Sequence, residues 1–216
     1  RGSGRKALAV AADVTDIAAL RGHVAAAEER FGRIDILVNN AGHSGGRGGF
    51  ESIDEAMFDG IFAVHVKGTF FTTQAVVPGM KARRYGKIVN ISSTMALTGL
   101  TYAHHYSGAK AALLAVSRGL AELVAGTGVT VNAVIPGPTN SEILSGWMKA
   151  MAAEQGITQA EAEQQFLKTA RPTSLINRFS TTEEVANMVV YVCSYQASAT
   201  TGAALRVDGG VVRSIG

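Results

Sequence analysis

Three apolar runs of strand length, each closing in small or polar residues, constrain this 216-residue chain more than any other feature. Ile34-Asp35-Ile36-Leu37-Val38 runs into Asn39-Asn40-Ala41-Gly42. Lys87-Ile88-Val89-Asn90-Ile91 runs into Ser92-Ser93, and Val129-Thr130-Val131-Asn132-Ala133-Val134-Ile135 into Pro136-Gly137-Pro138. Helix-length segments lie between them. Strands joined through helices lie parallel, so their C-terminal ends gather along one edge of a sheet. Ligands of such doubly wound α/β folds bind outside that edge. The expected fold class is therefore α/β, a doubly wound parallel sheet of Rossmann type.

The remaining pattern fits. Residues 6–12 read as a short apolar strand, and Asp13-Val14-Thr15-Asp16 offers an N-cap for a helix over 17–30. Residues 34–38 read as a strand buried on both faces. A helix in two parts follows over 50–83, with Pro78 bending or restarting its end. A helix over 106–125 stops at Gly126 and Gly128. Thr181-Thr182-Glu183-Glu184 caps a helix over 185–194, and residues 204–207 form the last strand. Residues 141–170 interrupt the alternation with two short amphipathic helices joined at Gly156. The whole chain reads as one domain, 1–216, carrying that insertion.

Chemistry concentrates at Tyr106-Ser107-Gly108-Ala109-Lys110. Positions i and i+4 of a helix share a face, so the phenol and the ammonium can enter one site. A free phenol sits about three pKa units above neutrality, roughly 4 kcal/mol, and a nearby cation favours the phenolate. Ser93, at the end of the preceding strand, can share a ligand oxygen with Tyr106. Ser92 belongs on the other face by strand alternation.

With those residues in hand, the chain resembles the short-chain dehydrogenase/reductase family over nearly its whole length. Asn39-Asn40-Ala41-Gly42, Ser93 with Tyr106 and Lys110, Pro136-Gly137 and Asp208-Gly209-Gly210 fall in the family's order. The resemblance implies hydride transfer between NAD or NADP and a carbonyl or secondary alcohol. Tyr106 would be the acid or base, Ser93 would hydrogen-bond the substrate oxygen, and Lys110 would lower the tyrosine pKa and hold the nicotinamide ribose. It further implies adenine contacts at Asp13 and Val14, where a helix N-cap is the alternative role. Asn39, Ala41 and Gly42 would line the adenosine ribose path, and Pro136, Gly137 and Thr139 the nicotinamide amide, with Ser141 where a threonine is usual. By position, 141–170 resembles a substrate lid, although a packing layer or oligomer contact fits the same residues. Its apolar Ile143, Leu144, Trp147 and Met148 suit an apolar or mixed substrate, as in the family's 3-oxoacyl-carrier-protein reductases and sugar or alcohol dehydrogenases.

Two departures stand out. His65 occupies the place of an asparagine that holds a water in the family's proton relay. It can replace that function, slow proton transfer, or mark a dead site. The second departure is at the front. No strand, glycine-rich turn and helix precede Lys6; Gly2-Ser3-Gly4 lacks a third glycine and follows no strand. The first strand-helix-strand segment, roughly fifty residues or somewhat more than one βαβ unit, is expected upstream in a longer product. A truncated or degenerate member serving as a non-catalytic subunit or scaffold is the alternative reading.

Composition removes other classes. Charged residues are 17% of the chain and net charge is only +3, with the densest basic run, Lys81, Arg83, Arg84 and Lys87, at an expected solvated helix end. Nucleic acid and membrane are therefore not expected partners; a small carbonyl or alcohol is. His43-Ser44-Gly45-Gly46-Arg47-Gly48-Gly49 reads as a flexible active-site loop. His104 and His105 read as pocket wall or packing, since no carboxylate or cysteine lies at metal-ligand spacing, and no metal is expected. The single cysteine, Cys193, suits a reducing cytoplasmic compartment. By family resemblance, pairing of the tyrosine helix across twofold axes would give a dimer or homotetramer, and Ala111, Leu113, Leu114, Val116 and Leu120 leave that helix apolar on more than one face.

Overall fold

Branched aliphatic residues dominate two central strands, and burial on both faces follows from that composition. In a computed structural model, which describes residues 4–46, 49–99 and 101–215, β2 (Gly86–Ile91) and β3 (Val129–Pro136) are buried almost throughout. They pair in parallel, with β1 (Ile36–Asn39) outside β2 and β4 (Ala204–Val207) outside β3, giving the order β1-β2-β3-β4. Successive residues of β2 serve opposite faces. Ile88 enters a core with Val76, Met80, Val124 and Val131, whereas Val89 packs with Val134 and Val192. Each such fully buried aliphatic side chain stabilises the fold by about 1.5–3 kcal/mol.

Helices cover both faces. α1 (Ile17–Phe31) places Leu20 and Val24 against α3 (Thr69–Arg83), and α5 (His104–Leu123) lies along β3 on that side. α8 (Thr182–Cys193) covers the opposite face through Val192. The insertion forms α6 (Glu142–Gln155) and α7 (Gln159–Ala170), which share a cluster of Met148, Leu167 and Phe179. Both α7 and α8 open with a capping box, Thr158 with Glu161 and Thr181 with Glu184.

Several expectations need correction. Residues 6–12 form no strand: they are exposed and irregular, because no neighbouring strand offers them a ladder. β1 is not buried on both faces. It is an edge strand, with Ile36 46% and Val38 39% exposed. Pro78 sits inside α3 without breaking it; the break falls earlier, at a π-helical turn, Ala63–Gly68, between α2 (Glu55–Phe62) and α3. Lys87 is buried in β2 rather than solvated. Arg83 and Arg84 donate to the Ile34 and Gly126 carbonyls. Residue 128 must be glycine, because its φ is +81° and a Cβ there would meet the Arg84 backbone. A short helix, α4 (Met95–Thr98), follows β2. Gly2 and Ser3, and Arg47 and Gly48 of the expected flexible loop, lie outside the described residues.

A polar network ties the elements together below the strand ends. Asn39 Nδ2 donates to Asn90 Oδ1 at 2.8 Å and to Thr73 Oγ1 at 3.2 Å, and Asn90 Nδ2 donates to Ser117 Oγ at 2.8 Å. Ser117 in turn donates to the Leu113 carbonyl. β1, β2, α3 and α5 are thereby fixed in register where the site begins.

Candidate active site

The C-terminal ends of β1, β2 and β3 open onto a cleft of about 760 Å³, within the range of small-molecule sites. Ser93 leaves β2 and Tyr106 and Lys110 rise from α5 to line it together. Ser93 Oγ accepts the Met95 N–H at 3.2 Å and hydrogen-bonds the Tyr106 side chain. Ser92, one residue earlier, is buried and donates to the Lys110 carbonyl at 2.8 Å, anchoring α5 to β2. The adjacent serines therefore divide the work as strand alternation requires.

Lys110 is 5% exposed and donates from Nζ to the Ile91 carbonyl at 2.7 Å, with Nζ 5.6 Å from the Tyr106 ring centroid. Burial lowers its pKa to about 8. The expected depression of the tyrosine pKa by this lysine is not found. Desolvation raises the Tyr106 pKa, and the bond from Ser93 opposes it only in part. Two facts explain the reversal: burial removes water from the phenolate, and the ammonium is directed at a backbone carbonyl rather than at the phenol oxygen.

His65 lies in the π-helical turn, 2% exposed, with its ring edge-on to Tyr106 at 5.3 Å. Its Nε2 is 2.8 Å from the His43 carbonyl, and its Nδ1 is buried without a partner. Burial, with smaller effects from Lys110 and His43, lowers its pKa to about 4. The ring is therefore neutral, and Nε2 faces both the His43 carbonyl at 2.8 Å, to which it donates when protonated, and the His43 N–H at 3.4 Å, from which it accepts in the other tautomer. Gly42 makes this placement possible, since a Cβ there would collide with His65 Cε1.

The loop after β3 forms the facing wall. Pro136, Gly137 and Thr139 line the cleft, and Thr139 Oγ1 donates to the Gly137 carbonyl. Gly137 allows close approach of the Asp208 backbone, which a Cβ would block. Asp208 holds its own turn by accepting from the N–H groups of Gly210 and Val212. Ser141 accepts the Leu144 N–H and so caps α6. Ile143, Leu144 and Trp147 of that helix, with Phe166 of α7, line the cleft; Met148 is buried between α6 and α7 instead.

The structure brings His65, Gly42, Ser93, Tyr106, Lys110, Pro136, Gly137 and Thr139 to one cleft. Asp13, Val14, Asn39 and Ala41 are not among its lining residues. Asp13 accepts from the Thr15 N–H and hydroxyl, Asp16 caps α1 instead, and Asn39 serves the network below. His105 is buried with Nε2 3.3 Å from the Gly45 carbonyl, and His104 is exposed against Phe50. Sequence reasoning missed His43 as the partner of His65, and Arg171 and Phe166 as cleft residues. Only the basic residue before Pro172 at the end of the lid could have pointed to Arg171. Among the described residues, no group of acidic, histidine or cysteine side chains is arranged to hold a metal, and no helix is long and apolar enough to cross a membrane.

The chain is similar in sequence and in fold to known proteins. The family described as Enoyl-(Acyl carrier protein) reductase matches residues 2–212. The uncharacterized oxidoreductase YvrD of Bacillus subtilis (strain 168) is 40% identical over 185 residues, covering 86% of this chain and 70% of that protein. L-sorbose reductase from Gluconobacter frateurii, in complex with NADPH and L-sorbose, superposes with a TM-score of 0.89 at 30% identity, covering 95% of this chain and 77% of that one. A Serratia marcescens short-chain dehydrogenase/reductase superposes with a TM-score of 0.82 at 34% identity, covering 97% and 78%. With Ser93, Tyr106 and Lys110 in one cleft at the ends of a parallel sheet, the chain belongs to the short-chain dehydrogenase/reductase family.

Proposed function

We propose that this protein is an oxidoreductase that interconverts a carbonyl compound and its secondary alcohol, using NAD or NADP, with Tyr106 moving the proton. The observation that carries the reading is the convergence of Tyr106, Ser93 and Lys110 on one cleft at the strand ends. A nicotinamide cofactor, when bound, supplies or receives the hydride. The residues present suit one: Lys110 spends one N–H on Ile91 and keeps others for ribose hydroxyls. Gly42 and Gly137 line the same cleft, where the missing side chains make room for His65 and for the Asp208 backbone.

In the reducing direction, Ser93 donates a hydrogen bond to the substrate oxygen, stabilising the charge that develops there. Tyr106, held as a neutral phenol by its surroundings, gives its proton to the same oxygen. Lys110 provides a compensating positive charge as the phenolate forms. His65 positions the loop at His43 and packs edge-on against the tyrosine ring. The lid helices exclude water and present an apolar wall. The cytoplasm is the compartment we assign, and the apolar faces of α5 suit a homotetramer.

The reading is tested by mixing the purified protein with NADPH or NADH and a panel of 3-oxo esters, 2-ketones and ketoses. Cofactor oxidation matched by alcohol formation is the expected result. Failure to bind either cofactor and to turn over any carbonyl would instead support a non-catalytic subunit.

A further inference from the structure

Arg171 lies at the lid end of the cleft and is 8% exposed. Its guanidinium makes one described hydrogen bond, from Nη1 to the Ala170 carbonyl at 2.6 Å, and its Cζ lies 5.7 Å from the Phe166 ring centroid. No carboxylate pairs with it among the described residues. That is unusual, because buried charges are ordinarily paired. Arg178, seven positions on and more exposed, has both guanidinium arms on Glu184. Closing the end of α7 does not demand an arginine here, since Lys168 already stands in the last turn.

The cleft is one-sided in charge. Among the described residues, its lining contains no aspartate or glutamate and two cations, Lys110 and Arg171. Lys110 stands beside Tyr106; Arg171 stands with Phe166 and Trp147 at the lid. A guanidinium keeps its charge at any working pH and offers a planar fork matched to a carboxylate.

We propose that Arg171 binds a carboxylate of the substrate, so that the enzyme acts on oxo or hydroxy acids whose apolar chain lies along Leu144, Trp147 and Phe166. This deepens the proposed oxidoreductase reading and rests on it for the fate of the carbonyl, but the anion site can be measured without turnover. A phosphate of the cofactor is the other anion that could reach a cleft cation, and the test separates the two.

Calorimetric titration with 3-oxo-octanoate and with its methyl ester compares ligands that differ in the carboxylate alone. The wild-type protein should bind the acid about tenfold or more tightly than the ester. Arg171→Met should erase that preference, leaving ester and NADPH binding unchanged, and Arg171→Lys should retain part of it. Should Arg171→Met fail to fold, the wild-type preference and its weakening in Arg171→Lys still decide. Equal binding of acid and ester, no binding of the acid, or a preference that survives in Arg171→Met would overturn the proposal. So would a loss confined to NADPH. An arginine-dependent preference for the acid without any turnover would sink the oxidoreductase reading and leave the anion site standing.

Discussion

His65 shows how a single buried side chain links stability to pH. Its ordinary pKa of 6.5 falls to about 4 in the fold, mainly because burial disfavours the charged ring. Between those values the unfolded chain holds a proton that the folded chain lacks, so stability rises with pH across that window and is lost as pH falls. The displacement corresponds to about 3 kcal/mol. Urea denaturation at pH 4 and pH 7 should show that much more pH dependence in the wild type than in His65→Asn; identical profiles would contradict a buried neutral ring. Lys110 sets a second dependence. Its pKa of about 8 means the cation beside Tyr106 disappears as pH rises past that value. The rate of carbonyl reduction should fall there, and a pH–rate profile flat to pH 10 would exclude a need for the charge. The identities of Ser93, Tyr106 and Lys110 were legible in the sequence because helical spacing and strand ends determine them. The electrostatics were not: the direction of the Tyr106 shift depends on which water is removed and where Lys110 points, which only tertiary packing decides.

At the scale of elements, the π-helical turn Ala63–Gly68 does what sequence patterning could not announce. It carries His65 inward against Gly42 within an otherwise continuous helical stretch, and such turns recur at functional sites. Gly42→Ala places a methyl group against His65 Cε1 and should cost about 1–3 kcal/mol through overpacking. The same substitution in a His65→Asn background should cost less, because the smaller side chain leaves room. A double-mutant cycle from thermal denaturation measures the difference, and an additive result would show that the contact is not the source of strain. α6, α7 and α8 were legible to within a few residues, since Ser141, Thr158 and Thr181 are strong N-caps. Residues 6–12 were misread for the opposite reason: apolar alternation marks a strand only when a partner is present to complete the ladder.

For the molecule as a whole, the parallel sheet converts sequence-distant strand ends into one reactive surface, and α6 and α7 give that surface a wall. The parallel pairing of the strands was implied by the alternation of strands and helices, whereas their order β1-β2-β3-β4 came from the structure. The charge asymmetry of the cleft was not implied either, because Arg171, just past α7, joins Lys110 only through the tertiary fold. The oxidoreductase reading of the cleft depends on proton transfer by Tyr106. Carbonyl reduction by NADPH, followed in parallel for the wild type, Ser93→Ala and Tyr106→Phe, each confirmed folded by circular dichroism, tests that dependence most directly. We expect Tyr106→Phe to lower kcat by about 10²–10⁴-fold while cofactor binding persists. A Tyr106→Phe protein that reduces the carbonyl at the wild-type rate would contradict the assignment.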